Sequence, residues 1–133
     1  MIDRTHRFQG HGSLRFVYQK GQTARGPFCS LKYVLNRRRK QYRVAVVVSR
    51  KVHKSAVVRN RIRRRIYEIV RARATRITDP YDLVFIVYSD QLATMPAPQL
   101  ERTILEKLEK AGVFAVNAPG PAASHDIVVP KEK

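Results

Sequence analysis

A small α+β fold, a two-layer α/β sandwich with helices packed on a sheet, is what this sequence predicts. Three observations predict it. The segments alternate in the order helix, strand, strand, long helix, strand, helix. Two of the strand-like segments are buried-type runs, dense in valine around 44–48 and in apolar residues around 81–88. The long helix-like segment is apolar on one side only, so it needs a single core to dock on. A chain of 133 residues with 44% hydrophobic content suits one domain with one core.

Residues 1–12 are polar, and Ser13 suits the N-cap of a short first helix. Leu14, Val17 and Tyr18 recur at helical spacing, and Gly21 stops the segment. Gly26-Pro27 punctuates the chain, and 28–35 reads as a strand whose bulky members are Phe28, Leu31, Tyr33 and Leu35. Residues 36–41 read as a basic hairpin loop. Residues 42–49 form the most hydrophobic strand, and its valines predict a central place buried on both sides. The two strands are expected to pair antiparallel.

A loop over 50–54 leads to Ser55, the expected N-cap of a helix running to about Arg73. Val58, Ile62, Ile66, Ile69 and Val70 share one face at about 100° per residue. Asn60, Arg61, Arg64, Glu68 and Arg71 take the opposite side, with Tyr67 at the margin. Asp79-Pro80 ends the helical region, because proline disfavours helix at the residue before it. Residues 81–88 form a second buried-type strand. Ala97-Pro98 opens a last helix with Leu100, Ile104, Leu105 and Leu108 inward, stopped at Gly112. The division is a domain over 1–115 and a flexible C-terminal tail over 116–133, where Pro, Gly and Ala are frequent.

Charge narrows the function. The formal net charge is +17, with a sequence pI of about 11.0. Residues 37–76 hold sixteen Lys or Arg against one acid, Glu68, a net of +15. The remaining residues hold eleven bases and nine acids. So many guanidinium groups on one helix repel each other, and a polyanion such as RNA or DNA offsets that repulsion. A solvated basic surface is the bland alternative. A membrane-surface helix is another, but its apolar face would need to be aromatic-rich, and this one is mainly Val and Ile.

Other classes find little support. No apolar run reaches the ~18–20 residues of a membrane span. The N-terminus lacks the apolar stretch of a signal peptide. The lone Cys29 excludes an internal disulfide and fits a reducing cytosol. His6, His11 and His53 stand in basic surroundings, and one Cys with scattered His makes no metal cluster. Asp79, Asp82 and Asp90 are explained by turn and cap duties rather than by paired-carboxylate catalysis. No Gly-rich nucleotide loop occurs. No catalytic residue and no metal ligand is therefore assigned.

Arginine grips phosphate through two donors at once. Asn60 both donates and accepts, so it reads a ribose hydroxyl or base edge as arginine cannot. Tyr18, Tyr33 and Phe28 are candidates to stack unpaired bases, with core packing the competing role for each.

The run Val46-Val47-Val48-Ser49-Arg50-Lys51, followed by Val57-Val58-Arg59-Asn60-Arg61-Ile62-Arg63-Arg64, resembles the protein component of bacterial ribonuclease P. The opening Leu14-Arg15-Phe16-Val17-Tyr18-Gln19-Lys20-Gly21 and the strand Tyr81-Asp82-Leu83-Val84-Phe85-Ile86-Val87 are similar to that family's. The resemblance covers about residues 4–114 in the same element order. It implies a fold like the second domain of ribosomal protein S5. A left-handed crossover there carries the Arg-Asn-Arg helix, against the usual right-handed rule.

The resemblance also implies a function, that of the protein subunit of a ribonucleoprotein endonuclease. The catalytic RNA subunit would cut precursor tRNA with magnesium ions and leave the mature 5′ end. The protein would bind that RNA and hold the single-stranded 5′ leader in a cleft between the first helix and the sheet. No cofactor is expected on the protein alone. The implied partners are the catalytic RNA and precursor tRNA, with no membrane and no DNA, in the cytoplasm.

By position, Arg59, Asn60, Arg61 and Arg64 match the motif, and Ser49, Arg50 and Lys51 match its strand end and loop. Lys54, Arg63, Tyr67 and Arg71 complete the candidate RNA-binding set. Leu14 and Tyr18 fall where the family often has a phenylalanine pair in the leader cleft. Phe28 and either Leu31 or Tyr33, depending on alignment, are the candidate cleft residues of the first strand. A structural ribosomal protein and an independent nuclease are the competing readings. The Arg-Asn-Arg run after the valine strand favours the first reading, and no convergent acid or His cluster supports the last.

Overall fold

Gly21 ends the first helix for a steric reason. In the computed structural model, which describes residues 11–114, helix α1 spans His11–Lys20, and the Gly21 N–H donates to the Val17 carbonyl at 2.7 Å. A Cβ at position 21 would stand 2.5 Å from that oxygen and 3.0 Å from the Tyr33 carbonyl oxygen, so only glycine fits the turn. Ser13, expected as the cap, lies inside α1. Strand β1 (Gln22–Ala24) follows. It is three residues long and two of them are polar, which is why its sequence carries no strand signal.

Strands β2 (Cys29–Leu35), β3 (Arg43–Val47) and β4 (Tyr81–Val87) complete one sheet in the order β1-β2-β4-β3. This corrects the expected hairpin. β2 and β3 do not pair, because β4 lies between them, antiparallel to β2 and parallel to β3. Residues 36–42 instead step across the end of β4, where the Asn36 N–H donates to the Pro80 carbonyl at 2.9 Å. A parallel pair needs a crossover. Helix α2 (Ala56–Ala72) and a 3-10 turn (Ala74–Arg76) supply it between β3 and β4.

The valine strand is therefore an edge strand, not a central one. Val44, Val46 and Val48 are buried because they face the helices, while Ala45 and Val47 are half-buried. β4 holds the central place, and Asp82, Leu83, Val84 and Phe85 are all fully buried. The register sets Leu31, Phe85 and Val46 side by side across three strands, in the core beneath α2 and α3 (Ala97–Ala111). Ile62, Ile66 and Val70 of α2 and Leu100, Ile104 and Leu108 of α3 cover them.

Strand alternation puts three other rows on the opposite face. They are Ser30, Ile86 and Val47; Lys32, Val84 and Ala45; and Val34, Asp82 and Arg43. Helix α1 packs over β2 and β4 there, where Val17 and Val84 are fully buried outside the main core.

Two local signals hold as read. Ser55 caps α2, its hydroxyl accepting the Val58 N–H at 3.4 Å. Gly112 ends α3 in the left-handed region, φ 74°, which glycine adopts without strain. Asp82 does not serve a turn or cap. It is a buried partner of Arg43, which donates to it through Nε and Nη2 at 3.0 Å each, while the Asn36 amide donates at 2.9 Å. The tail expected over 116–133 lies outside the described residues. No helix among the described residues is long and apolar enough to cross a membrane.

Candidate nucleic-acid interface

The exit of β3 and the entry of α2 form one built junction. The Val52 N–H donates to the Ser49 carbonyl at 3.0 Å, turning the chain. The Ser55 N–H donates to His53 Nδ1 at 3.0 Å, so this imidazole is an acceptor that shapes the loop before the cap. Arg59 reaches back and donates to the carbonyls of His53 and Lys54 at 3.0 and 2.9 Å. Arg63 donates to Asn60 Oδ1 at 2.6 Å and to the Val48 carbonyl at 3.2 Å, tying the helix to the strand end. On the next turn Arg65 donates to the carbonyls of Leu92 and Met95 at 2.7 and 2.5 Å.

Outside this bonded frame runs a stripe at i, i+4, i+7, i+11 and i+14: Val57, Arg61, Arg64, Glu68 and Arg71. Among the described residues, Arg61 and Arg64 make no hydrogen bond or ion pair, and both are exposed. Arg71 pairs with Glu68 at 2.8 Å, which half-neutralises the far end of the stripe. Ser49, Arg50, Lys51 and Lys54 are grouped on the exposed junction beside its near end. Asn60 is exposed, and its amide N–H₂ is free to donate while its oxygen serves Arg63. Tyr67 is half-buried against the core. Val57, 71% exposed at the head of the stripe, is an apolar residue that sequence reading did not single out.

The candidate cleft residues do not come together. Leu14 and Tyr18 stand four apart on α1, and Tyr18 is exposed. Leu31 is fully buried under the helices and cannot line a cleft. Tyr33, two residues on, shares that side, and it and Phe28 pack partly against the same core. The sheet face that α1 covers is one residue out of phase, and it presents Ser30, Lys32 and Val34 from β2. Lys32 donates to Thr23 Oγ1 at 3.1 Å, and the exposed Tyr88 bonds through its hydroxyl to Ser30. The polarity of Ser30 and Lys32 inside an otherwise apolar run was the signal for that phase.

Chemistry of a nucleophile or metal is not gathered here. Burial pushes the Cys29 thiol up, with nearby Lys107 a smaller opposing influence, so it stays protonated. Among the described residues no three His, Cys, Asp or Glu side chains cluster to hold a metal ion. The arrangement is one for binding a polyanion: unpaired guanidinium groups on a rigid helix, with ammonium and hydroxyl groups beside them.

Comparison with known proteins points the same way. The family model described as ribonuclease P matches residues 2–112. A ribonuclease P protein component of Chloroflexus aurantiacus is 35% identical over 127 residues, covering 96% of this chain and 88% of that protein. The one of Roseiflexus castenholzii is 36% identical over 112 residues, covering 84% and 90%. The structure of the Staphylococcus aureus RNase P protein superposes with a TM-score of 0.73 at 24% identity, over 82% of this chain and 97% of that one, which speaks for the fold.

Proposed function

This chain belongs to the ribonuclease P protein family, and from that premise we propose that it binds the catalytic RNA subunit and the 5′ leader of precursor tRNA, assisting removal of the leader. The observation that carries this is the exposed Arg61 and Arg64 pair beside Ser49, Arg50 and Lys51. Among the described residues no acid satisfies the two arginines, and they stand on a frame built by Arg59 and Arg63. Phosphates complete them, and each phosphate engaged releases counterions.

The leader lies on the sheet face beside α1, between Tyr18 on the helix and Lys32, Ala45 and Val47 on the sheet. Tyr18 offers a ring for an unpaired base, and the Lys32 ammonium offers charge to the backbone. The cutting chemistry resides in the RNA subunit. Magnesium ions bound with that RNA would supply an activated water and charge neutralisation at the scissile phosphate. Asp82 is committed to Arg43, and on this reading the RNA would hold the ions. The protein's part is to screen phosphate repulsion between two RNAs and to recognise the leader. A cytoplasmic place of action goes with that reading.

Reconstitution tests it. With its RNA subunit, the full chain is expected to lower the magnesium concentration for half-maximal precursor cleavage and to tighten precursor over mature tRNA. If both the midpoint and the discrimination stay where the RNA alone leaves them, the role is wrong. Cleavage of RNA by purified protein without the RNA subunit would favour an independent nuclease.

A further inference from the structure

At the other end of β3 from the Arg-Asn-Arg junction lies a second cationic feature that the reading above does not use. Residues 36–39, with Phe16 of α1 and Arg43 at the start of β3, line an open groove of about 960 Å³. Its loop is pinned rather than loose. The Asn36 side chain donates to Asp82 and accepts the Arg38 N–H at 3.2 Å, and the Arg39 N–H donates to the Asn36 carbonyl at 3.0 Å. Arg37, Arg38, Arg39 and Lys40 are four successive exposed cations. The carboxylate bonded to this loop, Asp82, is fully buried and already shared by Arg43 and Asn36. The floor is thus neutral and the rim strongly positive. In the same groove stands Phe16, 36% exposed, next to the buried Val17 on α1.

An exposed ring lining one groove with a row of guanidinium groups is the pairing that unpaired nucleotides select, with a base on the ring and flanking phosphates on the cations. Duplex RNA offers phosphates but no free base face. We propose that this groove is a second single-strand RNA subsite, with one unpaired base on Phe16 and its neighbouring phosphates on Arg37, Arg38 and Arg39. β3 is five residues long, roughly 17 Å at about 3.3 Å per residue. The subsite therefore takes a stretch of strand beyond the one held at the sheet face. Identifying that strand as the precursor leader rests on the proposed function. The subsite itself does not.

The test uses the full chain and a fluorescent single-stranded RNA oligonucleotide, with a duplex of the same length as comparison. F16L is expected to weaken single-strand binding about fivefold or more, because one stacked base loses its ring. F16Y keeps the ring and should keep the affinity. The R37A/R38A/R39A variant should flatten the single-strand salt dependence by about 0.7 in log–log slope for each phosphate no longer neutralised. Circular dichroism and thermal unfolding check that each variant is folded. Duplex binding unchanged by F16L completes the expected pattern. The inference is overturned if F16L binds the single strand as the parent does. It is equally overturned if the arginine variant leaves the single-strand slope unchanged. A holoenzyme arm separates the two readings: if the parent holoenzyme prefers precursor over mature tRNA and the groove variants bind single strands as the parent does, the subsite fails while leader recognition stands. If the parent shows no such preference but the groove variants lose single-strand affinity, leader recognition fails and the subsite stands.

Discussion

Arg61 and Arg64 differ from Arg59, Arg63 and Arg65 by one or two positions in sequence and by everything in their surroundings. The inner three spend their donors on the carbonyls of His53, Lys54, Val48, Leu92 and Met95. They close the strand-to-helix junction and hold the segment after β4 against α2. The outer two donate to nothing among the described residues. One residue type on one helix thus stands in two settings, and the angle around the helix axis decides which. Net charge alone overstates the binding surface, because part of it is bound internally.

That division is open to breakage, and the largest effect belongs to the most enclosed arginine, Arg43. Asp82→Ala removes the carboxylate that takes two of its donors in a fully buried place. Breaking such a pair from one side costs about 3–5 kcal/mol. Urea unfolding should show the midpoint falling accordingly, and an unchanged midpoint would remove the pair from the frame. Arg65→Ala comes next. It takes a charged donor from two carbonyls in a half-buried place, and a loss of about 1–3 kcal/mol is expected. RNA affinity, corrected for the folded fraction, should hardly move. If affinity fell while stability held, Arg65 would belong to the outer set.

Local signals were legible in the sequence and nonlocal ones were not. The apolar stripe of α2, its Ser55 cap and the Gly112 stop depend on neighbours within a turn, and each stands as read. The pairing of β2 with β4 depends on a strand far downstream, and hydrophobic density ranked the valine strand as central when it is an edge. The phase of β2 was hidden for a similar cause. Leu31 and Tyr33 are the bulky residues of β2, and bulk marks the core side, so the side toward α1 carries the less conspicuous Ser30 and Lys32. The motif located the junction correctly. Which of its arginines are tied was not readable, because the acceptors Leu92 and Met95 lie on another segment of the chain.

The smallest expected change in stability is the sharpest test of the comparison. Arg61 and Arg64 are exposed and project away from Ile62 and Ile66, so replacing both by alanine opens no cavity. Alanine is also the best helix former, which offsets any loss of stem packing. Stability should stay within about 0.5 kcal/mol, as for surface substitutions without a structural partner. RNA binding should not stay. Leaving two phosphates without their guanidinium partners should lower affinity and flatten its salt dependence by about 0.7–0.9 in log–log slope per phosphate. Arg63→Ala is the control between them, because its donors hold Val48 and Asn60. It should cost stability and alter RNA binding through the junction's shape, with a smaller change in slope than the double variant. An unchanged slope in R61A/R64A would mean that the outward stripe of α2 is not the face that meets RNA, and the junction loop at Ser49, Arg50 and Lys51 would then have to carry the binding without it.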